Sequence, residues 1–209
     1  MNYSDLVSDI MPEVLGCPSV TIKRAVRDSV IEFFERSMAY KVENDPAKLP
    51  KNVQEIDLEL PTKTRLVKVL TVRYGGAELQ PVTREDMDRL GYDWPTLTGT
   101  PQGYTFATPT SIRLVPFPSD STATKAYVRF AVAPTRVSTS LPDELGERYY
   151  EAICAGAKFR LMRMPKMAWT DANLAAFNGS QFEKGINKAR LDSAHDNVRA
   201  VRRVVMRRV

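Results

Sequence analysis

The chain has 209 residues, 43% of them hydrophobic, enough apolar material for one sizeable core and a second, smaller module. No run approaches the roughly 18 apolar residues that a membrane span requires, and no basic stretch followed by an apolar one opens the chain, so a soluble protein without a secretory signal is expected. The net charge of +5 is local: residues 197–209 hold Arg199, Arg202, Arg203, Arg207 and Arg208 and no acid, which leaves the rest of the chain balanced and speaks against a broad DNA-binding face.

The pattern predicts a short helix over residues 4–10, stopped at Met11 because Pro12 disfavours helical geometry in the residue before it. From residue 20 to 38, apolar Ile22, Val26, Val30, Phe33 or Phe34 and Met38 recur at helical spacing, with Lys23, Arg24, Arg27, Asp28 and Glu35 between them. Pro18 and Ser19 are its start signals.

Between residues 47 and 134 the period changes to two. Ile56, Leu58 and Leu60 alternate with Glu55, Asp57 and Glu59, as in a strand with one wet face. Residues 66–74 form a second, β-branched strand, and Gly75-Gly76 supplies the positive φ of a tight hairpin before residues 78–82. Residues 83–90 read as a short helix with Thr83 as N-cap and Asp86 in the reciprocal place of a capping box. Strands at 104–107, 111–115 and 125–133 complete an antiparallel set.

Helical signals return at Ser140, whose hydroxyl is suited to cap a helix running to about Met164. After Pro165, Asp171 or Asn173 opens a last helix through Phe177, Phe182, Ile186 and Leu191, weakened by Gly179 and Gly185. The expected fold class is α+β: a helical bundle formed by the N- and C-terminal segments, with an inserted small antiparallel β-module. Its parts are residues 1–45, an N-terminal helical part; 46–137, the β-rich insertion; 138–196, C-terminal helices that complete the helical domain; and 197–209, a basic tail.

Residue types suited to chemistry are sparse. Cys17 and Cys154 form neither a disulfide framework nor a zinc-type pair, and both are expected to be reduced and buried. His195 is the only histidine and reads as solvated; its near neighbour Ser193, two positions away, falls on a different side of a helix. The acidic clusters Glu85, Asp86, Asp88 and Asp143, Glu144, Glu147 stand at helix starts, where carboxylates complement the dipole. No catalytic residue, metal site or cofactor is therefore expected. In the tail, Val204, Val205 and Val209 would expose apolar area unless a partner covered them, and a segment that orders on docking fits this pattern. Nucleic-acid binding through the basic tail is the competing reading.

Three phrases carry a resemblance. One is the opening Pro12-Glu13-Val14-Leu15-Gly16-Cys17-Pro18, followed by a helix containing Ala25-Val26-Arg27-Asp28-Ser29-Val30-Ile31-Glu32-Phe33-Phe34-Glu35-Arg36-Ser37. The others are Ile112-Arg113-Leu114-Val115-Pro116-Phe117-Pro118, and Ser140-Leu141-Pro142-Asp143-Glu144-Leu145 with a last helix from Leu174-Ala175-Ala176-Phe177 to Ala189-Arg190. In this order they resemble the head-to-tail adaptor (connector) proteins of short-tailed phages, the podoviruses. The resemblance implies a non-enzymatic virion protein that forms a ring, of twelve copies, between the portal and the tail tube or nozzle. Genomic DNA would pass through the ring without sequence-specific binding, and no membrane is involved. The protein would lie at the head-to-tail interface of the virion and in the host cytoplasm during assembly. The C-terminal segment would reach the portal through Arg199, Arg202, Arg203, Val204, Val205, Arg207, Arg208 and Val209.

Overall fold

The computed structural model describes residues 1–44, 47–49, 55–91, 94–119 and 124–195. They fall into two compact units, one made by Met1–Ala39 with the chain from Arg136 onward, the other by Tyr40–Thr135.

The first unit begins with α1 (Tyr3–Ile10), whose start is closed by the Asn2 backbone N–H donating to the Asp5 carboxylate at 2.9 Å. Tyr3, Leu6, Val7 and Ile10 are its buried face. Pro12 lies in a 3-10 turn, Met11–Glu13, as the expected stop requires. Helix α2 (Ser19–Ser37) buries Ile22, Val26, Val30, Phe33 and Phe34, the apolar stripe that the spacing predicts. It ends where Met38 turns left-handed at φ 54°, with its N–H donating to the Phe34 carbonyl at 3.0 Å.

The second unit holds β1 (Lys41–Glu43), β2 (Ala47–Leu49), β3 (Glu55–Asp57), β4 (Thr64–Tyr74), β5 (Ala77–Glu78) and β6 (Gln80–Pro81). After these come α3 (Arg84–Leu90), β7 (Thr98–Gly99), β8 (Gly103–Thr108), β9 (Ser111–Val115), β10 (Phe117–Pro118) and β11 (Thr124–Pro134). The long strands β4 and β11 pair antiparallel from Ala126 opposite Tyr74 to Pro134 opposite Thr64, and β1, β2 and β5 extend that sheet. A second sheet runs β3-β9-β8-β6, and β7 pairs with β10. Val72, Val128, Phe130 and Val132 from the first sheet pack with Ile56, Ile112, Leu114 and Tyr104 from the second in one buried cluster.

The hairpin at Gly75-Gly76 forms as expected, with φ of 58° and 89° and Tyr74 opposite Ala77. Two features of this unit depart from the antiparallel expectation. The strand expected over residues 78–82 is divided: β5 stays with β4, Leu79 donates its N–H to the Val72 carbonyl at 2.8 Å, and β6 leaves for the second sheet. There it runs parallel to β8, and β7 and β10 are also parallel. The reason is connection length: β6 reaches β8 by way of α3 and β7, and β7 reaches β10 by way of β8 and β9, long enough for the crossover that parallel neighbours need.

Returning to the first unit, the chain forms α4 (Asp143–Arg148), α5 (Tyr150–Met162) and α6 (Ala172–Ala194). The single helix expected from Ser140 is thus two, interrupted at Tyr149 (φ −112°, ψ 15°). Tyr149 is buried, with its ring 4.9 Å from that of Phe33 and 6.1 Å from that of Phe34. Ser140 is not the cap. Pro142 holds that position without a side-chain bond, and Ser140 bridges to Asn2 and accepts from the Ser138 hydroxyl through its carbonyl. Asp171 does cap α6, its carboxylate accepting from the N–H groups of Asn173 and Leu174 at 2.9 Å each. At the far end the Ser193 hydroxyl donates to the Met38 carbonyl at 2.9 Å, tying α6 to the end of α2. The protein is therefore a mixed, α+β chain.

Candidate functional site

The tail residues Arg199, Arg202, Arg203, Val204, Val205, Arg207, Arg208 and Val209 lie outside the described residues. His195 is exposed and closes α6 through its backbone N–H, while the neighbouring Ser193 hydroxyl is buried and engaged with Met38. Three of the acidic groups at helix starts have partners. Asp86 accepts from the Thr83 hydroxyl at 2.6 Å, Asp88 from the Trp94 indole at 2.8 Å, and Asp143 pairs with the N-terminal ammonium. In α3 the Thr83 hydroxyl also accepts from the Asp86 N–H at 3.2 Å, so the expected box closes side chain to side chain rather than onto the Thr83 backbone. Among the described residues, no cluster of three or more His, Cys, Asp or Glu could hold a metal, and no helix is long and apolar enough to cross a membrane.

What the helical unit does present is a pair of charged surfaces. Along α2, Val20, Lys23, Arg24 and Arg27 recur at i, i+3, i+4 and i+7 and so share one face. Residues 136–139 run alongside, and a groove of about 320 Å³ lies between, with Arg136 as a fourth cation. The Arg27 guanidinium donates to the Arg136 carbonyl at 3.4 Å and to Asp28 at 3.3 Å. Tyr3 also lines the groove, its hydroxyl donating to Ser138 Oγ at 3.3 Å, and burial pushes its phenol pKa upward. On the rim, Val20 and Val137 are each 70% exposed.

The second surface is acidic. Asp5, Asp9 and Glu13 follow one another at four-residue intervals along α1 and its 3-10 turn, and Glu147 and Glu151 do the same across the α4/α5 junction. The Tyr150 hydroxyl donates to Asp9, which joins the two sets, and that bond chiefly raises the Tyr150 pKa. Lys158 pairs with Glu13. Asp9, Glu13, Glu147 and Glu151, with the cations Arg148 and Lys158 among them, form one wall of an open cleft whose other wall, on α6, carries Lys184, Lys188 and Asp192, the last paired with Arg148. Cys154 also lines this cleft, nearly covered, its thiol pushed up to about 11, mainly by burial. Cys17 is likewise buried and free.

The cations between the apolar positions of α2 are plain in the sequence, but not that residues 136–139 would complete a groove with them. The only local signal was the i, i+3, i+4, i+7 spacing.

Opposed charged faces with exposed valines beside one of them equip a protein to be held by other proteins. The family model of the SU10 adaptor protein matches residues 1–207, and the chain belongs to that family. It is a phage adaptor, with a structural role in the virion. No curated protein matches the chain.

Proposed function

We propose that this protein is the head-to-tail connector of a short-tailed phage, a ring of twelve copies between the portal and the tail tube or nozzle through which genomic DNA passes. It works without catalysis and without a cofactor. In this reading the helices of residues 1–45 and 138–196 form a bundle that makes the ring and portal contacts, and the β-rich insertion of residues 46–137 faces the tail. The basic tail, through Arg199, Arg202, Arg203, Arg207, Arg208 and the valines Val204, Val205 and Val209, docks on the portal and orders there.

The observation that carries this reading is the adaptor-family match over residues 1–207. A ring of identical subunits needs two different, complementary surfaces on each copy, and the basic groove and acidic wall of the helical unit are of opposite sign.

The test is cryo-electron microscopy of the purified protein with and without its portal, together with a chain lacking residues 197–209. A ring seated on the portal, and weakened portal binding by the shortened chain, is the expected result. Absence of co-migration with portal sinks the reading. Duplex binding that falls steeply with salt, on a slope set by about five phosphate contacts and lost on deleting the tail, would identify a nucleic-acid-binding module instead.

A further inference from the structure

We propose that the basic groove between α2 and residues 136–139 of one copy receives the acidic face that α1, α4 and α5 form on the next copy, so that this pair of surfaces is the repeating contact of the ring. The inference rests on the ring reading and adds to it which residues meet.

Each surface is compensated only in part within the chain: Arg27 pairs with Asp28 in the groove, and on the acidic side Glu13 pairs with Lys158 and Arg148 with Asp192. Among the described residues, Lys23, Arg24 and Arg136 have no carboxylate within ion-pair distance, and neither Glu147 nor Glu151 has a cation. Asp9 is engaged by a neutral hydroxyl, which leaves its charge in place.

The surfaces do not overlap. Tyr3 and Ser4, at the start of α1, line the groove, whereas Asp9 and Glu13, toward its end, line the acidic cleft. One copy thus has room for a neighbour on each, which is the condition for a heterologous contact that propagates head to tail.

A second copy suits the groove better than a nucleic-acid backbone does. Val20 and Val137 stand 70% exposed on its rim, and apolar rims gain from being covered by protein but have nothing to offer phosphates. Opposite charge across such a contact selects the register in which the two faces meet and suppresses groove-to-groove pairing. Assembly should weaken as added salt shortens the screening length.

The decisive experiment uses two full-length variants, Lys23→Glu with Arg24→Glu and Arg136→Glu, and Glu147→Lys with Glu151→Lys, assembled on purified portal. Ring occupancy is read by native mass spectrometry and electron microscopy for each variant alone and for an equimolar mixture. Each variant alone then carries like charge on both faces, and its ring yield should fall about tenfold or more. In the mixture each face again meets its opposite, and rings should return with the two variants alternating. Restoration requires both variants to be folded, so misfolding cannot imitate it. Wild-type ring yield from either variant alone overturns the proposal, as does a mixture that fails to assemble while both chains keep the wild-type melting temperature. Absence of rings from the wild-type chain on portal is a different failure, one that removes the ring reading and this contact with it.

Discussion

Gly156, on α5, lies beneath the ring of Phe182, on α6, so closely that a Cβ at Gly156 would meet ring carbons at 2.6 Å. The same seam is tight elsewhere. A Cβ at Gly185 would stand 2.4 Å from that of Ala152, and one at Gly179 would stand 3.0 Å from the Phe159 ring. Replacing Gly156 by Ala adds helix propensity worth about 1 kcal/mol, but the methyl has no room. We expect a net loss of about 1–3 kcal/mol by urea unfolding, since overpacking a close-packed seam moves backbone as well as side chains. Gly179→Ala should cost less, because the Phe159 ring has to give by only a few tenths of an ångström.

Phe33 is fully buried, with its ring 5.3 Å from Phe34, 4.9 Å from Tyr149 and 6.2 Å from Phe182. Phe33→Ala should destabilise the helical unit by about 3–5 kcal/mol, the range for a large side chain removed from a packed core. Phe177, on the outside of α6, is 59% exposed. Phe177→Ala should shift the unfolding free energy of the free chain by no more than about 0.5 kcal/mol. Chemical denaturation of both variants measures the contrast.

Arg36 binds Glu183 through two nitrogens at 2.6 Å each and Glu32 at 2.9 Å, joining α2 to α6. The side chains are 41% and 50% exposed for Arg36 and Glu183, so a double-mutant cycle should give a coupling of only about 0.5–1 kcal/mol. The Arg36 guanidinium holds the Glu183 carboxyl below its ordinary range. A lowered acid stabilises the fold above its unfolded pKa, about 4.3 for Glu, and loses that contribution as pH falls through the folded value. The stability gap between wild type and Glu183→Gln should therefore be present at pH 7 and close in acid below about pH 4. A pH series of urea midpoints reads it.

Burial raises the Cys154 thiol to about 11, against about 8.5 for a free cysteine. At pH 8 the thiolate is then depleted by more than about a hundredfold, and alkylation should slow by at least that factor. Timed iodoacetamide labelling followed by peptide mass analysis should show Cys154 blocked only after denaturation. Rapid labelling of the native protein would mean that α5 opens readily.

Helix α2 was legible because the positions of Ile22, Val26, Val30, Phe33 and Phe34 repeat at the helical period. The hairpin at Gly75-Gly76 was legible because a positive φ at two successive residues selects glycine, and the α6 start because Asp171 caps its own neighbours. The break at Tyr149 left no such mark, since what accompanies it is contact with Phe33 and Phe34, more than a hundred residues away in the chain. By helix propensity Gly179 and Gly185 are weak points of α6. In the fold they are where α5 comes closest.

The same division holds for the surfaces. The basic face of α2 follows from the spacing of Lys23, Arg24 and Arg27, but the groove exists only because residues 136–139 return beside it. The adaptor family was approached through three ordered phrases of sequence, which the family match over residues 1–207 extends to nearly the whole chain.

The sequence by itself determined the α+β character, the extents of α1 and α2, the start of α6 and the hairpin, because each depends on hydrogen bonds and side-chain periods spanning a few residues. Only the tertiary structure decided that residues 78–82 divide between two sheets, that β6 and β8 run parallel, and that glycines make the α5/α6 seam. Those outcomes depend on which distant segment occupies the neighbouring space. No local pattern encodes that choice, because close packing selects partners by shape and volume after the elements have formed.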